Sequence, residues 1–560
     1  MRISLCLLLL AAGIGSARNT PLIFISIDTL RADHLSAYGY RRIRTPNLDS
    51  YAESGGTVFE QTSAQIPLTL PSHTSLFTST YPFQNGIEEN AEVLPSGTGT
   101  TLASALRGRG YKTAAFIGSV FLEKEMGLDA GFDLYDSPFR YTALSPLSGS
   151  MFLGATPHGS YSGASTRDAA LVVRSAVQWL RDHRNEPTFA FLHLYDLHTP
   201  YRRSANATLG ASTAGYDDEL EYVDRVLGNF RKILVEEGWW DQSLVIVLGD
   251  HGESLGEHGE GTHGYFIYES TMHVPLIVHW PAGSSHPGTR VSQPAGLIDV
   301  APTVLDFLGI PAPASFVGTS LLGQPPAVVF GESFHCHDSF GWAPLLSARA
   351  GDFKYIDAPH PELYNLRVDP GELHNLIASA PREATALRDR LNRLMETHPR
   401  RTEAAATAEL SPSHAMLRSL GYLASGPGVK RSATGADAKD KLPEFQLYES
   451  AMLALYKGQM EKAAGILRRI VAEDPGDTLA RRDLGSIYFE QKQYAKAREC
   501  LHRVLETAPS DYVTNFELGL SASRLGLISE ARGYLQRACR LAPAAEQCRH
   551  ELDALPKQAN

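Results

Sequence analysis

The last fifth of the chain repeats itself. Ala463, Ala497 and Ala531 stand 34 residues apart, as do Leu467, Leu501 and Leu535, and Pro475, Pro509 and Pro543. Leu484-Gly485 recurs as Leu518-Gly519 at the same interval. A period of this length marks a supersecondary unit that cannot bury its apolar face alone. Neighbouring units must stack and share one core, and the terminal unit needs a cover. Three repeats are therefore expected over residues 444–545, with a capping helix and tail over 546–560.

The pattern resembles the tetratricopeptide repeat, which implies an all-α solenoid. Small residues then lie where paired helices cross, and proline closes each unit. Such stacks present concave surfaces, so a protein or peptide partner is expected there.

The rest of the chain needs a different architecture. With 560 residues the protein is too long for one core. Its 43% hydrophobic and 20% charged content is ordinary for a globular protein. The net charge of −11 argues against a nucleic-acid partner, which requires a basic stripe. Strand-like runs at 22–27, 112–118, 188–195, 243–249 and 327–330 alternate with helical ones at 100–108, 163–183, 214–237 and 299–309. Alternation of this kind predicts an α/β fold, a mostly parallel sheet sandwiched by helices. The run Leu244-Val245-Ile246-Val247-Leu248 is apolar throughout, as a strand buried on both faces should be. The catalytic unit is expected over 18–345, with a smaller subdomain over 346–400. Residues 401–443, rich in Ala, Ser, Gly and charge, read as a linker. Within the linker, 417–423 (Leu-Arg-Ser-Leu-Gly-Tyr-Leu) is apolar enough to dock on a neighbouring domain.

Arg2, the apolar residues 3–14 and Gly15-Ser16-Ala17 fit a signal peptide over 1–17, so an exported, periplasmic or secreted protein is expected. The apolar stretch is short for a membrane span, and membrane contact is expected only if it stays uncleaved. Cys539 and Cys548 are close enough to bridge two helices, or equally to remain as buried thiols.

Ligands gather at the carboxyl ends of strands in such sheets. Asp28 follows the first strand, Asp196 and His198 another, and Asp250-His251 a third. An Asp at a strand end suits a cation, although it also serves as a helix N-cap. Asp250 and His251 side by side can reach one metal. Glycines at 249, 252, 256, 259, 261 and 264 let the backbone turn around it, and His258 and His263 follow. Thr69 stands in Thr69-Leu70-Pro71-Ser72-His73, with Pro71 suited to the first helical position. A threonine hydroxyl at a helix start is either a simple N-cap or a nucleophile with help from a metal.

In these motifs the chain resembles the sulfatase family of the alkaline phosphatase superfamily, over about residues 20–400. Family members carry Cys-x-Pro-x-Arg or Ser-x-Pro-x-Arg at the nucleophile. Here Thr69-Leu70-Pro71-Ser72-His73 takes that place, followed by Ser75-Leu76-Phe77-Thr78 and Tyr81-Pro82. The resemblance implies an alkaline-phosphatase-like fold with a small C-terminal subdomain. It puts the metal on Asp28, Thr69, Asp250 and His251, and a substrate-facing histidine at His198-Thr199-Pro200-Tyr201. His263 stands where many members have lysine. Thr cannot become formylglycine, Thr29 replaces a second aspartate, and Ser119 and Phe121 replace an expected lysine and histidine. An unmodified Thr with these ligands is similar to phosphoester-transferring branches that use a phosphothreonine intermediate.

The expectation is a metal-dependent hydrolase of phosphoric or sulfuric esters acting through Thr69, phosphoesters or phosphonates slightly favoured. The alternatives are an arylsulfatase-type enzyme using unmodified Thr69, a phosphoethanolamine-type phosphotransferase, and a repeat scaffold with a vestigial catalytic domain. One divalent ion is expected, zinc or manganese before calcium or magnesium, because a histidine is in the set. The substrate is a small-molecule, glycan or lipid ester. His198 or His263 would protonate the leaving oxygen or stabilise its charge. His73 either orients Thr69 or contacts the backbone of its own helix. Asp196 is read as bonding to its neighbours in preference to holding a second metal, and His193 as a satisfied core histidine.

Overall fold

The computed structural model describes residues 20–53, 55–90, 92–95, 99–139, 166–203, 212–286, 288–401, 435–541 and 546–556. The expected signal peptide, most of the expected linker and its apolar segment 417–423 lie outside the described residues.

Eight strands form the main sheet: β1 (Leu22–Ile27), β2 (Thr57–Ser63), β3 (Lys112–Phe116), β4 (Leu134–Asp136), β5 (Thr188–Leu194), β6 (Leu244–Gly249), β7 (His273–His279) and β8 (Arg290–Gly296). Their order is β4-β3-β5-β1-β6-β7-β2-β8. Only β7 runs antiparallel to its neighbours. Side chains alternate between two buried clusters. Leu22 and Phe24 point to one, where α2 (Thr69–Thr78), α3 (Leu102–Arg107) and α6 (Val300–Phe307) pack. Ile23, Ile25 and Ile27 point to the other, with α1 (Pro46–Glu53), α4 (Ala169–Asp182) and α5 (Thr213–Glu236). Both faces being covered explains why β1, β5 and β6 carry almost no polar residues.

The helices are set by their ends and stripes. In α4 the Asp168 carboxylate accepts the Ala170 N–H, and Val172, Val173, Ala176, Val177 and Leu180 form one buried face. Ser212 caps α5 in the same way, accepting the Gly215 N–H.

A second sheet is fully antiparallel, ordered β12-β11-β10-β9, from β9 (Val329–Ser333), β10 (Leu345–Ala350), β11 (Phe353–Asp357) and β12 (Glu362–Asn365). The run at 327–330, expected among the alternating strands of the main sheet, therefore belongs here: Val329 to Ser333 pair with β10. The helix α7 (His335–Phe340) follows β9, and α8 (Pro381–Thr397) packs its Ala384, Leu387 and Leu391 on this sheet.

Three antiparallel helix pairs follow: α9 (Leu442–Tyr456) with α10 (Met460–Glu473), α11 (Thr478–Glu490) with α12 (Tyr494–Thr507), and α13 (Tyr512–Arg524) with α14 (Ile528–Leu541). The short α15 (Glu546–Asp553) ends the stack. Gly485 and Gly519 show why the period carries a glycine. A Cβ there would approach Leu501 and Leu535 side-chain atoms to 2.7 and 2.6 Å. Asp477 and Asp511 cap α11 and α13 through the Ala480 and Thr514 N–H groups, a further element of the period. Cys539 and Cys548 are joined by a disulfide between α14 and α15.

Candidate active site

The site is built at the carboxyl ends of three parallel strands. Ile27 stands opposite Gly249 of β6 on one side and Leu194 of β5 on the other. Asp28 and Asp250 therefore leave adjacent strands at the same level. After Asp28 the backbone turns sharply, with Thr29 in the left-handed region (φ 55°). A β-branched residue there is strained by about 1–3 kcal/mol. The turn aims the Thr29 N–H at Asp250 Oδ1, 3.1 Å away, and the His251 N–H donates to the same oxygen at 2.8 Å.

Thr69 opens α2, with Leu68 as the extended N-cap. The helix thus starts two residues before Pro71 rather than at it. Pro71 falls at the third helical position, where an N–H has no intrahelical acceptor to lose. The Thr69 hydroxyl donates to Asp28 Oδ2 at 3.2 Å and lies 3.3 Å from His251 Nε2. His251 Nδ1 donates to the Gly252 carbonyl at 2.9 Å, which leaves the Nε2 lone pair for the centre of the site. Ser72 ties the helix to the strand end through the Asp250 carbonyl at 2.6 Å.

Burial dominates the electrostatics. It pushes the Asp28 and Asp250 carboxyls upward, and for Asp250 the nearby Asp28 adds to the effect. For His251 burial disfavours the charge, but Asp250 and Asp28 outweigh it and raise the imidazole. Asp28 Oδ1 and Asp250 Oδ2 are buried with no hydrogen-bond partner among the described residues. Two half-satisfied carboxylates, a hydroxyl and an imidazole nitrogen make a set that a divalent cation would satisfy. Asp28, Asp250 and His251 place their ligand atoms within 4.8 Å of one another.

His73, one turn into α2, does two things at once. Its Nδ1 donates to the Thr69 carbonyl at 2.7 Å and its Nε2 meets Ser26 Oγ at 2.8 Å. Burial takes it down to about 4, as it does His193. His193 corrects the sequence reading of a satisfied core residue. Its Nε2 lies 3.2 Å from Asp28 Oδ2, and its buried Nδ1 has no partner among the described residues. It lies opposite Ser26 across β1 and β5, a placement that only the register reveals.

His198 and His263 sit further out. His198 stacks on Tyr195 at 4.5 Å, and its Nδ1 meets the Thr199 carbonyl at 2.6 Å. The His263 ring lies 5.1 Å from that of His198 and 4.5 Å from that of His251. Glu253 Oε1 accepts His263 Nδ1 at 3.0 Å, a partner not foreseen from sequence. Burial lifts Glu253 to about 7 and, with His251 and His335, lowers His263. A further buried pair, His335 and Glu89 at 3.1 Å, joins residues 246 apart in sequence. Asp196 accepts the Ala169 N–H at 2.9 Å and pairs with Arg203 at 3.0 Å. His258 lies off the cluster, stacked on Tyr268.

The sulfatase family model matches residues 21–310, and tetratricopeptide-repeat models match 454–514 and 493–546. Steryl-sulfatase of Mus musculus is 27% identical over 404 residues, covering 54% of this chain and 64% of that protein. Arylsulfatase K of Danio rerio is 27% identical over 288 residues, 47% of this chain and half of its own length. Uncharacterized sulfatase YidJ of Escherichia coli (strain K12) is 25% identical over 417 residues, 63% of this chain and 82% of that protein. Among solved structures, the phosphonate monoester hydrolase of Agrobacterium radiobacter aligns with a TM-score of 0.56 at 22% identity, covering 70% of this chain and 98% of that one. A protein solved in complex with its substrate D-glucosamine-2-N,6-O-disulfate aligns at 0.55 and 19% identity, over 68% and 98%. At these identities the structural likeness speaks for the fold.

Proposed function

This chain belongs to the sulfatase family, whose model covers residues 21–310, and on that premise we propose that it is a metal-dependent hydrolase of phosphoric or sulfuric esters with Thr69 as nucleophile. Phosphoesters and phosphonates are slightly favoured. The carrying observation is the Thr69 hydroxyl at a buried helix start, 3.2 Å from Asp28 and 3.3 Å from His251. Asp28, Asp250, His251 and Thr69 would hold one divalent cation. When bound, such an ion lowers the pKa of a hydroxyl and offsets charge on the transferring group.

The chain's own residues supply the rest. The Thr69 proton faces the Asp28 carboxylate, and His73 fixes the Thr69 carbonyl and so the direction of the side chain. Thr69 Oγ bonds to phosphorus or sulfur as the bond to the leaving oxygen breaks. His198 or His263 gives that oxygen a proton or, in the neutral form that burial favours, stabilises its charge. Water then attacks the threonine ester, returning the Thr69 hydroxyl and releasing phosphate or sulfate. Glu253 holds the His263 ring from its Nδ1 side, as an orienting carboxylate should. An unmodified threonine does not suit the formylglycine route of ordinary sulfatases, which is why phosphorus is placed first. Export is part of this reading and rests on Arg2, residues 3–14 and Gly15-Ser16-Ala17.

Mass spectrometry of enzyme quenched during turnover, with phosphorus- or sulfur-labelled ester, tests the scheme. A labelled adduct on Thr69 is expected. Full activity of Thr69→Ala would overturn it.

A further inference from the structure

His263 rides on a glycine-rich loop whose far side meets the repeats. Between Asp250 and Tyr268 the backbone takes left-handed geometry at Gly256, His258, Gly259 and Gly264. Its ties include the Ser254 N–H to the Thr262 carbonyl at 2.8 Å, the Ser254 hydroxyl to the Glu260 carbonyl at 2.9 Å, the Tyr265 N–H to Glu260 Oε1 at 3.0 Å and His263 Nδ1 to Glu253 Oε1 at 3.0 Å. Glycine-rich segments of this kind sample many conformations unless something outside them removes the freedom.

From outside, Arg31 holds the Glu253 carbonyl and Ser333 the Gly264 carbonyl, and the first repeat helix grips the residues on either side of His263. Phe445 packs on Tyr265 with ring centroids 3.8 Å apart and planes tilted by 43°, both residues being 1% exposed. One turn along α9, the Glu449 carboxyl accepts the Gly261 N–H. Between them Gln446 Nε2 donates to the Gly259 carbonyl at 3.1 Å. Leu442 covers Gly259 so closely that a Cβ there would lie 2.8 Å from its methyl carbon. Residues 445 and 449 share a face of the helix because they are four apart. They grip residues 265 and 261, two positions on either side of His263. The position of α9 is in turn set by the array: Tyr448 donates to Asp483 of α11 at 2.7 Å and meets Phe340 of α7 at 5.7 Å.

We infer that Phe445 and Glu449 are positioning residues for His263, so that the repeat array supplies part of the catalytic geometry. This rests on the reading of His263 as a group that serves the leaving oxygen. Displacement of a catalytic group by about 1 Å costs on the order of a hundredfold in rate.

The test uses the full chain with bis(p-nitrophenyl) phosphate and p-nitrophenyl sulfate, in the variants Phe445→Ala, Glu449→Ala, Phe445→Leu and His263→Ala. Phe445→Ala and Glu449→Ala should lower kcat about ten- to a hundredfold at unchanged metal content, with KM moving only a few-fold, and Phe445→Leu should recover most of the loss. In the His263→Ala background the same substitutions should change kcat by less than about twofold, because residues acting through one group are not additive. Equal losses in both backgrounds would overturn the inference. If wild type cleaves neither ester, the functional reading fails, and hydrogen exchange over 256–264 still decides this one. Protection lost in Phe445→Ala and Glu449→Ala supports the clamp, and unchanged protection refutes it.

Discussion

Asp250→Asn should change the sign of its effect when metal is added. Asp250 Oδ1 accepts the Thr29 and His251 N–H groups, whereas Oδ2 is buried with no hydrogen-bond partner among the described residues and lies 3.6 Å from both His73 Nδ1 and His251 Nε2. Asparagine keeps both accepted bonds and replaces the unsatisfied charged oxygen with a neutral amide. A buried, unsatisfied polar atom costs about 1–3 kcal/mol, and more if charged. Without metal the variant should therefore be more stable than wild type by roughly that amount. For about 380 residues of catalytic unit the unfolding entropy is near 0.8 kcal/mol/K, so the midpoint should rise by about 1–4 °C. With metal at a thousand times its Kd, wild type gains about 4.1 kcal/mol. The variant has lost one charged ligand and gains much less. Calorimetric scans of both proteins at pH 7.5, first with chelator and then with zinc or manganese, should show the two midpoints exchanging order. A variant less stable than wild type under both conditions would refute the argument.

Three further outcomes follow from local geometry. A Cβ on Gly252 would fall within the Ser270 carbonyl oxygen and 3.1 Å from Thr271 Cα, all backbone that no rotamer can move. Gly252→Ala should lose about 1–3 kcal/mol in urea unfolding and weaken metal binding by displacing the flanking His251. Glu517 in α13 is lifted to about 8 by burial, and Ser486 donates to it at 2.7 Å. Its folded value exceeds the ordinary 4.5. The neutral form's stability is therefore complete below that value and is lost as pH rises towards 8. Glu517→Gln should raise the midpoint of the repeats clearly at pH 8.5 and little at pH 4.5, read by circular dichroism. Thr69→Ser should retain the covalent adduct where Thr69→Ala abolishes it, checked by the quenched-turnover mass measurement.

Much of this was legible in the chain because burial on both faces leaves a plain record. β1, β5 and β6 are apolar runs, and the strand-end rule then brings Asp28, Asp250 and His251 to one place. β2 and β8 were not legible. Thr-Val-Phe-Glu-Gln-Thr-Ser mixes polar and apolar residues, and Arg290–Gly296 is an edge strand whose first residues face solvent. β7 carries histidine at both ends and proline near its start, which hides its apolar centre. His193 was misread because its apolar neighbours describe a core strand, while the pleat turns that one residue to the site. Pairs such as His335 with Glu89 leave no local sign at all, since only folding makes them neighbours.

The bond between Cys539 and Cys548 has a meaning for where the molecule is finished. It fastens the helix that covers the last repeat, and thiols join lastingly only in an oxidising compartment. A copy retained among cytosolic reductants would carry the same repeats with an unlatched end. On the export proposed above, completion of the array would then record that the chain has reached an oxidising compartment.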